Sequence, residues 1–295
     1  MTEQSDIAQR DEREYTYILG RTDRETRRLI LQHRLFAPLT RRFFEAAGIG
    51  AGMKVLDIGS GAGDVAMLAA DLVGVQGRVV GVDMNAEILD TARARARAAG
   101  HSNVTFVAGD VQSLQLEGDF DAVVGRWILM HVPDPVALLE HVITRLKPGG
   151  IVAFHENDFT YPPTTFPFTD FSEELNKWSI PPIDDDMRRW ENREKRFPGP
   201  EAQMGTKLYR TYLAAGLPGP QLMLEGAIGG GPDWPGYELL EETLRSLMPM
   251  FEKMGRVTAD QVGLDTLAER LRKTVVDRQG VYLLPMMFGA WSRRS

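Results

Sequence analysis

Residues 55–63, with the sequence VLDIGSGAG, constrain the fold of this chain more than any other stretch. An apolar run typical of a buried strand leads into a turn that contains Gly59, Gly61 and Gly63, and a helical pattern follows. Glycine adopts backbone angles that other residues avoid, and it lets the main chain approach a ligand closely. A second apolar run, residues 79–82, ends in Asp83 at the spacing of the next strand of a βαβ unit. The glycine turn and Asp83 together predict a nucleotide-cofactor loop, in which Asp83 is an acid that can bind both ribose hydroxyls.

The pattern of this loop argues against two common nucleotide ligands. It reads D-x-G-x-G-x-G from Asp57 to Gly63, which differs from the G-x-G-x-x-G of dinucleotide-binding loops. The chain also has no G-x-x-x-x-G-K-[ST] motif, so a triphosphate cradle is not expected. The loop therefore predicts a cofactor that has a ribose but no pyrophosphate.

Further motifs follow the loop in a consistent order. Gly109-Asp110-Val111 comes after the third predicted strand, residues 120–124 read FDAVV as a fourth strand, and residues 146–150 read LKPGG before a fifth. Across residues 55–156 this series resembles the class I S-adenosylmethionine (SAM) dependent methyltransferases. The resemblance implies that SAM is the cofactor.

The resemblance also implies a role for individual residues. Asp83 would hold the ribose hydroxyls, and Met84 would pack on the adenine. Asp110 would accept from the exocyclic amine, and Asp57 would face the methionine end. An alternative stays open, in which acids at strand ends only cap the following helices. The predicted cofactor-binding residues are Tyr17, Asp57, Gly59, Ser60, Gly61, Asp83, Met84, Gly109, Asp110, Val111, Arg126 and Trp127.

Three of these residues lie outside the loop motifs. Arg126 and Trp127, just past the fourth strand, are placed to contact the methionine carboxylate and the acceptor, although a packing role for Trp127 is left open. Tyr17 belongs to a segment similar to one that folds over the cofactor in small-molecule methyltransferases.

The segment after the fourth strand also bears on the acceptor. Gly125-Arg126-Trp127 lacks the Asn/Asp-Pro-Pro-aromatic signature of enzymes that methylate amide or exocyclic amino nitrogens in protein or nucleic acid. The chain most resembles the ubiquinone/menaquinone-type methyltransferases and their relatives in specialised metabolism. Aromatic and Met-rich segments outside the core suit an apolar or aromatic small molecule, and they equally suit an ordinary subdomain core.

The predicted reaction is an in-line displacement at a sulfonium methyl, in which placement supplies most of the rate enhancement. A hydroxyl or acidic carbon as the nucleophile also needs a base. We predict His155, Glu156 and His131 as catalytic residues because they follow the fifth and fourth strands. His155 and Glu156 should point to opposite faces of their strand. For His131, a hydrogen bond to backbone at a helix entry is the alternative.

Two other functions stay open at this point. One is a SAM-binding enzyme of the same fold that catalyses a cyclisation or rearrangement. The other is metal-assisted C-methylation of an α-keto acid, with His131, His155 and Glu156 as ligands. No His-x-x-x-His clustering supports that second function, so no metal site is predicted.

Composition excludes several partners. The net charge of −7 disfavours nucleic acid, whose phosphates require a basic face. The chain has no cysteine, hence no disulfide and no thiolate metal site. No apolar run is long enough to span a bilayer, and residues 1–14 do not resemble a signal peptide. We therefore expect a cytoplasmic enzyme, monomeric or homodimeric, with a small-molecule methyl acceptor as its partner.

The periodicity predicts an α/β fold with a doubly wound, seven-stranded, mostly parallel Rossmann-like sheet, preceded by N-terminal helices. The N-terminal helical pattern is interrupted near Pro38, a helix is expected over about 258–278, and the last strand over residues 281–291. A helical cap before that strand would cover the methyl end of the cofactor. The predicted organisation is an N-terminal helical segment (1–50), a SAM-binding core (51–156), a lid insertion (157–203), continued core (204–227), a helical cap insertion (228–280) and the last core strand (281–295).

Overall fold

The computed structural model describes residues 23–158, 163–173, 201, 203–253, 255 and 257–295. The chain forms two compact units. Unit 1 contains Met1–Leu31, Phe159–Ala202 and Ile228–Pro285, and unit 2 contains Gln32–Asp158, Gln203–Ala227 and Met286–Ser295. No helix among these described residues combines the length and the apolar character needed to cross a membrane.

Unit 2 is built on a seven-stranded sheet with the order β3-β2-β1-β4-β5-β10-β7. Strands β1 to β5 pair in parallel, whereas β10 is antiparallel to both β5 and β7. This confirms the predicted mostly parallel, seven-stranded Rossmann-like sheet. The strands are β1 (Lys54–Ile58), β2 (Arg78–Asp83), β3 (Val104–Ala108), β4 (Phe120–Arg126), β5 (Leu146–Asp158), β7 (Gln221–Glu225) and β10 (Met286–Arg293).

Helices cover the sheet because their apolar faces need a partner. The helices that contribute to unit 2 are α1 (Asp23–Ala47), α2 (Asp64–Val73), α3 (Ala86–Ala98), α4 (Pro135–Ile143) and α5 (Met204–Ala214). The end of α1 joins α2, α3 and the inner residues of the sheet in one apolar core, in which Phe43 and Phe44 are fully buried. Helices α4 and α5 pack against β5, and α5 also packs against β10.

Helix α1 differs from the sequence expectation. It continues through Pro38, where an interruption was predicted. A proline inside a helix costs about 3 kcal/mol. Burial of four apolar side chains offsets this, since each fully buried one contributes about 1.5–3 kcal/mol. These side chains are Phe36, Leu39, Phe43 and Phe44.

Unit 1 combines helices with a small antiparallel sheet of order β6-β9-β8. Its strands are β6 (Thr164–Phe166), β8 (Ile228–Gly229) and β9 (Val281–Leu283), and its helices are α6 (Gly236–Lys253), α7 (Ala259–Val262) and α8 (Leu267–Asp277). Trp234, Tyr237 and Tyr282 form an aromatic cluster with ring centroids 5.4–6.4 Å apart. Strands of two or three residues are too short to show an alternating pattern, so this sheet was not predicted.

Two predicted elements of the last third of the chain are wrong in detail. The helix expected over 258–278 is broken at Gly263, which adopts a left-handed φ of 60° and separates α7 from a 3₁₀ turn and α8. The strand expected over 281–291 is two strands, β9 and β10, in different units. Pro285 lies between them and has no N–H to donate to a strand ladder.

Candidate functional site

The glycine turn lies at the carboxyl end of β1. Gly59 N and Ser60 N donate to Val82 O at 2.9 and 3.0 Å, which joins the turn to β2. Gly59 has a φ of 68°, and a Cβ there would lie 2.6 Å from Ile128. A Cβ on Gly63 would lie 3.0 Å from Ala92 and Phe106. Glycine is therefore required by both backbone angle and space at these positions.

Asp83 connects the glycine turn to the next helix. Its Oδ2 accepts from Gly61 N at 2.9 Å, and its Oδ1 accepts from Asn85 N at 2.9 Å. Each carboxylate oxygen has a further lone pair with which to accept from a ligand hydroxyl. Burial raises the pKa of Asp83. The neighbouring Met84 is 67% exposed, which is unusual for a large apolar side chain directly beside a buried acid.

Asp57 is a buried acid with one free oxygen. Its Oδ2 accepts from Ser60 Oγ at 2.7 Å, whereas Oδ1 has no hydrogen-bond partner among the described residues. Burial raises the pKa of Asp57 to about 7, although the Ser60 hydrogen bond and the charge of Arg126 act in the opposite direction. A positively charged ligand group at Oδ1 would satisfy this orphaned acceptor.

The segment 109–111 is held beside Asp83. Gly109 N donates to Asp83 O at 2.9 Å, and Val111 is buried. The Asp110 side chain accepts from Gln112 N at 2.9 Å, as a residue that caps a turn would do. The geometry is thus compatible with both interpretations of Asp110, a turn cap and an adenine contact.

Arg126, at the end of β4, is a buried cation. It is 8% exposed, and its Nη1 donates to Thr40 Oγ1 at 3.3 Å. Its guanidinium lies 5.0 Å from the centre of the Trp127 ring. Within the described parts of the chain, no carboxylate oxygen lies within 4.0 Å of its guanidinium. The charges of Asp64 and Asp57 favour the guanidinium from beyond this distance, and an anionic ligand would give this buried cation a direct partner.

Trp127 follows in a strained conformation. Its φ of 56° is left-handed, which is rare for a bulky residue. Its backbone N donates to His155 O at 3.0 Å, and its Nε1 contacts Met287 Sδ at 3.2 Å. The ring also meets Phe36 edge-on at 4.9 Å. Several contacts therefore fix Trp127 in a conformation that it would not adopt alone.

Glu156 accepts hydrogen bonds from the turn that follows Trp127. The backbone N–H groups of Ile128, Leu129 and Met130 donate to its carboxylate at 3.0, 2.9 and 3.4 Å. The side chain is fully buried, and burial raises its pKa to about 8 although these hydrogen bonds lower it. Glu156 is thus occupied in holding the turn between β4 and α4.

His155 points to the opposite side of β5. It stacks on Phe43 with ring centroids 4.8 Å apart, and its Nδ1 lies 3.3 Å from Thr40 Oγ1. Burial, assisted by the charge of Arg126, lowers its pKa to about 3, so the ring is neutral near pH 7. Glu156 faces the turn after β4 instead, so the two predicted catalytic residues do not converge.

His131 ends the 3₁₀ turn Leu129–His131, and its N donates to Ile128 O at 3.0 Å. Its side chain is partly exposed, in contrast to those of His155 and Glu156. Tyr17 lies outside the described residues. No group of three or more His, Asp or Glu side chains in the described part of the chain is placed to hold a metal ion.

The sequence interpretation missed Thr40, and it counted Met287 only among the aromatic and Met-rich segments outside the core. Thr40, from α1, contacts both Arg126 and His155, and Met287, from β10, contacts Trp127. Both contacts join residues far apart in sequence, and no local motif marks either residue. The only signal was a threonine on the otherwise apolar stretch of α1.

The doubly wound sheet, with a glycine turn after β1 and an acid after β2, defines a Rossmann-like nucleotide-cofactor domain. Residues 49–210 match the family described as "Methyltransferase domain". This range is more than half of the chain, which therefore belongs to that family. The prediction of a class I methyltransferase fold with SAM as its cofactor is confirmed.

Curated relatives match part of this chain. Arsenite methyltransferase of Aquipseudomonas alcaligenes is 41% identical over 113 residues, which cover 36% of this chain and 33% of that protein. Demethylmenaquinone methyltransferase of Lactococcus lactis is 33% identical over 102 residues, which cover 34% of this chain and 40% of that protein. Aklanonic acid methyltransferase of a Streptomyces species is 34% identical over 134 residues, which cover 45% of this chain and 60% of that protein. The matches thus span between a third and three fifths of these relatives.

A solved structure from Bacillus halodurans, described as that of a candidate methyltransferase, shares the fold. It aligns with a TM-score of 0.50 and 19% identity, covering 86% of this chain and 97% of that one. At this identity the likeness is one of fold alone.

Proposed function

We propose that this protein transfers the methyl group of SAM to a small apolar or aromatic molecule, such as a quinol or an aromatic polyketide. The observation that carries the proposal is a pair of buried groups: Asp57, whose Oδ1 has no hydrogen-bond partner among the described residues, and Arg126, which has no described carboxylate within salt-bridge distance. Such a pair complements the ammonium and carboxylate groups of an amino acid. SAM has these groups at its methionine end, and it supplies the activated methyl group.

Sheet geometry supports a joint role for the two residues. Asp57 is in register with Val124 on the neighbouring strand, two residues before Arg126. Side chains two residues apart on a strand point to the same face, so Asp57 and Arg126 share one face of the sheet. Both lie at or near the carboxyl ends of their strands, where ligands bind in open α/β sheets.

For the adenosine part we propose the residues implied by the family resemblance. Asp83 accepts from the ribose hydroxyls while it holds Gly61 and Asn85, and the exposed Met84 packs on the adenine. Asp110 accepts from the exocyclic amine. Burial by adenine would also remove the exposed apolar surface of Met84 from water, which favours binding.

The acceptor class is inferred from the relatives and from composition. Two of the relatives above are named for demethylmenaquinone and aklanonic acid, and one for arsenite. These 295 residues contain no cysteine, so they provide no thiolate to hold a soft ion. We therefore favour an organic acceptor over arsenite.

The residues of unit 2 would act mainly by placement. Asp57, Arg126 and Asp83 fix the two ends of SAM, which limits the positions that its methyl group can occupy. If the acceptor is a hydroxyl, we propose His131 as its base, because its side chain is partly exposed whereas those of His155 and Glu156 are fully buried.

A labelling assay tests the reaction. The protein is incubated with SAM labelled at its methyl group and with a panel of quinols, phenols and aromatic polyketides. We expect a labelled product and an equal amount of S-adenosylhomocysteine (SAH). A rearranged, unlabelled product with SAM unconsumed would instead support a cyclase or isomerase. SAM turnover with no panel member would contradict the proposed acceptor class.

The affinity for SAH should depend on pH through Asp57. With a pKa of about 7, Asp57 is mostly protonated at lower pH, and only its ionised form attracts the ligand ammonium. SAH affinity should therefore rise at least about tenfold between about pH 5.5 and pH 7.5. Calorimetry at the two pH values measures this change.

Two controls isolate the titrating group. In Asp57→Asn the pH dependence should largely disappear, because the amide does not titrate in this range. 5′-Methylthioadenosine has the adenosine but no ammonium or carboxylate, so its affinity should change little with pH in the wild type. An equal pH dependence for both ligands would contradict the role of Asp57.

We also propose that the predicted lid insertion (157–203) selects the acceptor. Its described part presents Phe166 and Phe168, which are 50% and 57% exposed. Phe168→Ser should raise KM for the acceptor and leave SAH affinity unchanged. The matched control is Val75→Ser, which removes an apolar side chain that is 94% exposed in unit 2. Equal KM values for the two variants would contradict this proposal.

A further inference from the structure

The side chain of Arg126 needs a support, because a flexible arginine loses about 2 kcal/mol of rotamer entropy when it is fixed. Its described contacts are few. Nη1 donates to Thr40 Oγ1, the guanidinium lies over Trp127, and no described carboxylate pairs with it. Thr40 is therefore the hydrogen-bonding anchor of this cation among the described residues.

Thr40 is itself held rigidly. It is completely buried in α1, and its hydroxyl donates to Phe36 O at 3.1 Å, one turn earlier in the helix. A β-branched side chain has few rotamers in a helix, and this back-bond selects one of them. The hydroxyl oxygen consequently presents its two lone pairs in fixed directions.

Thr40 also contacts His155, whose ring is neutral. The single hydroxyl proton of Thr40 is used on Phe36 O, so Oγ1 can only accept from its other neighbours. Arg126 Nη1 is one donor, at 3.3 Å, and His155 Nδ1 also lies 3.3 Å from Thr40 Oγ1, where it donates when the Thr40 proton is used on Phe36 O. Burial lowers the pKa of His155 to about 3, so the ring is neutral and adds no positive charge beside the guanidinium.

We propose that Thr40 is a positioning residue that holds the Arg126 guanidinium in place for the carboxylate at the methionine end of SAM. This inference rests on the proposed function, since it assigns that carboxylate to Arg126. Thr40 acts through Arg126 and does not touch the reacting atoms.

The test uses Thr40→Val, which keeps the shape of the side chain and removes the hydroxyl. Binding of SAH and of 5′-methylthioadenosine is measured by calorimetry. We expect SAH affinity to fall about tenfold, while the affinity for 5′-methylthioadenosine, which lacks the carboxylate, stays within about twofold. The separate variant Thr40→Ser, which retains the hydroxyl, should keep most of the SAH affinity of the wild type.

The chain offers a matched control. Thr211 is buried in α5, and its hydroxyl donates to Lys207 O one turn earlier at 3.0 Å, but none of its described hydrogen bonds joins an arginine or histidine. Thr211→Val thus removes the same kind of helix back-bond and should leave both affinities unchanged. A thermal melt of each variant accounts for any loss of folded protein.

Arg126→Gln separates this inference from the proposed function. It should weaken SAH binding, and adding Thr40→Val to it should cause little further loss, because both changes remove one interaction. If Arg126→Gln leaves SAH affinity unchanged, the carboxylate assignment itself fails. If Arg126→Gln weakens SAH but Thr40→Val does not, or if Thr40→Val weakens both ligands equally, the role of Thr40 is overturned.

Discussion

Glu156→Ala is expected to lower the free energy of unfolding by about 3–5 kcal/mol. The substitution leaves the buried N–H groups of Ile128, Leu129 and Met130 without their acceptor. Each unsatisfied buried donor costs about 1–3 kcal/mol, and relaxation or entry of water reduces the sum. The turn also contains the strained Trp127, which loses part of its support. Urea denaturation of the full chain measures the change.

Glu156→Gln is the matched comparison, because its amide oxygen can still accept from the turn. It should cost about 1–2 kcal/mol, since one of the two acceptor oxygens is replaced by an amide NH2 group. Asp121→Ala controls for loss of an acid on the neighbouring strand, where Asp121 accepts from Lys54 N and pairs with Lys147 near the surface. If Glu156→Ala were no less stable than Asp121→Ala, the turn would not depend on Glu156.

The pKa of Glu156 adds a pH signature to this prediction. Burial raises that pKa from 4.5 to about 8, so between these values the folded state keeps a proton that the unfolded state has released. The free energy of unfolding should therefore fall as pH rises through this window, by at most about 1.4 kcal/mol per pH unit. Glu156→Gln should make the free energy of unfolding depend less steeply on pH. The part of the pH dependence that comes from the raised pKa of Asp57 should remain.

The second large effect is expected for Asp83→Ala, which should weaken SAH binding at least about tenfold, equivalent to about 1.4 kcal/mol. The substitution removes a charged acceptor from the two ribose hydroxyls and releases Gly61 and Asn85. Because the ribose is common to both ligands, 5′-methylthioadenosine should lose as much affinity as SAH. This equal loss distinguishes Asp83 from Arg126, whose replacement should affect SAH alone.

Asp134→Ala is a suitable control for Asp83→Ala. Asp134 accepts from Ala137 N at the start of α4, much as Asp83 accepts from backbone groups at the start of α3. It should cost similar helix-cap stability, about 1 kcal/mol, without any loss of ligand affinity. Undiminished SAH binding by Asp83→Ala would contradict the assignment of the cofactor site.

The sequence predicted those parts of the molecule that depend on local pattern. The turn after β1 was recognisable because three glycines directly follow an apolar run, and Asp83 because it ends the next one. The period of two correctly predicted that His155 and Glu156 point to opposite faces. The site roles of these residues remain predictions, since no bound ligand tests them.

The sequence could not predict features that depend on tertiary contacts. Pro38 interrupts the local helical pattern, and only burial of the surrounding apolar side chains keeps α1 continuous. Thr40 meets Arg126 and His155 across 86 and 115 residues, and no motif records that contact. The sequence also could not predict that Glu156 accepts hydrogen bonds from three N–H groups, because these partners lie 26–28 residues away.

The order of strands in the core sheet has a consequence for synthesis of the protein on the ribosome. Strand β10 is translated after every other described strand, yet it lies between β5 and β7. Until it emerges, β5 exposes an unpaired edge and β7 has no neighbour in the sheet, because β10 is the strand with which it pairs. Open strand edges promote association with other chains. The nascent chain should therefore need protection, as by a chaperone, until β10 closes the gap.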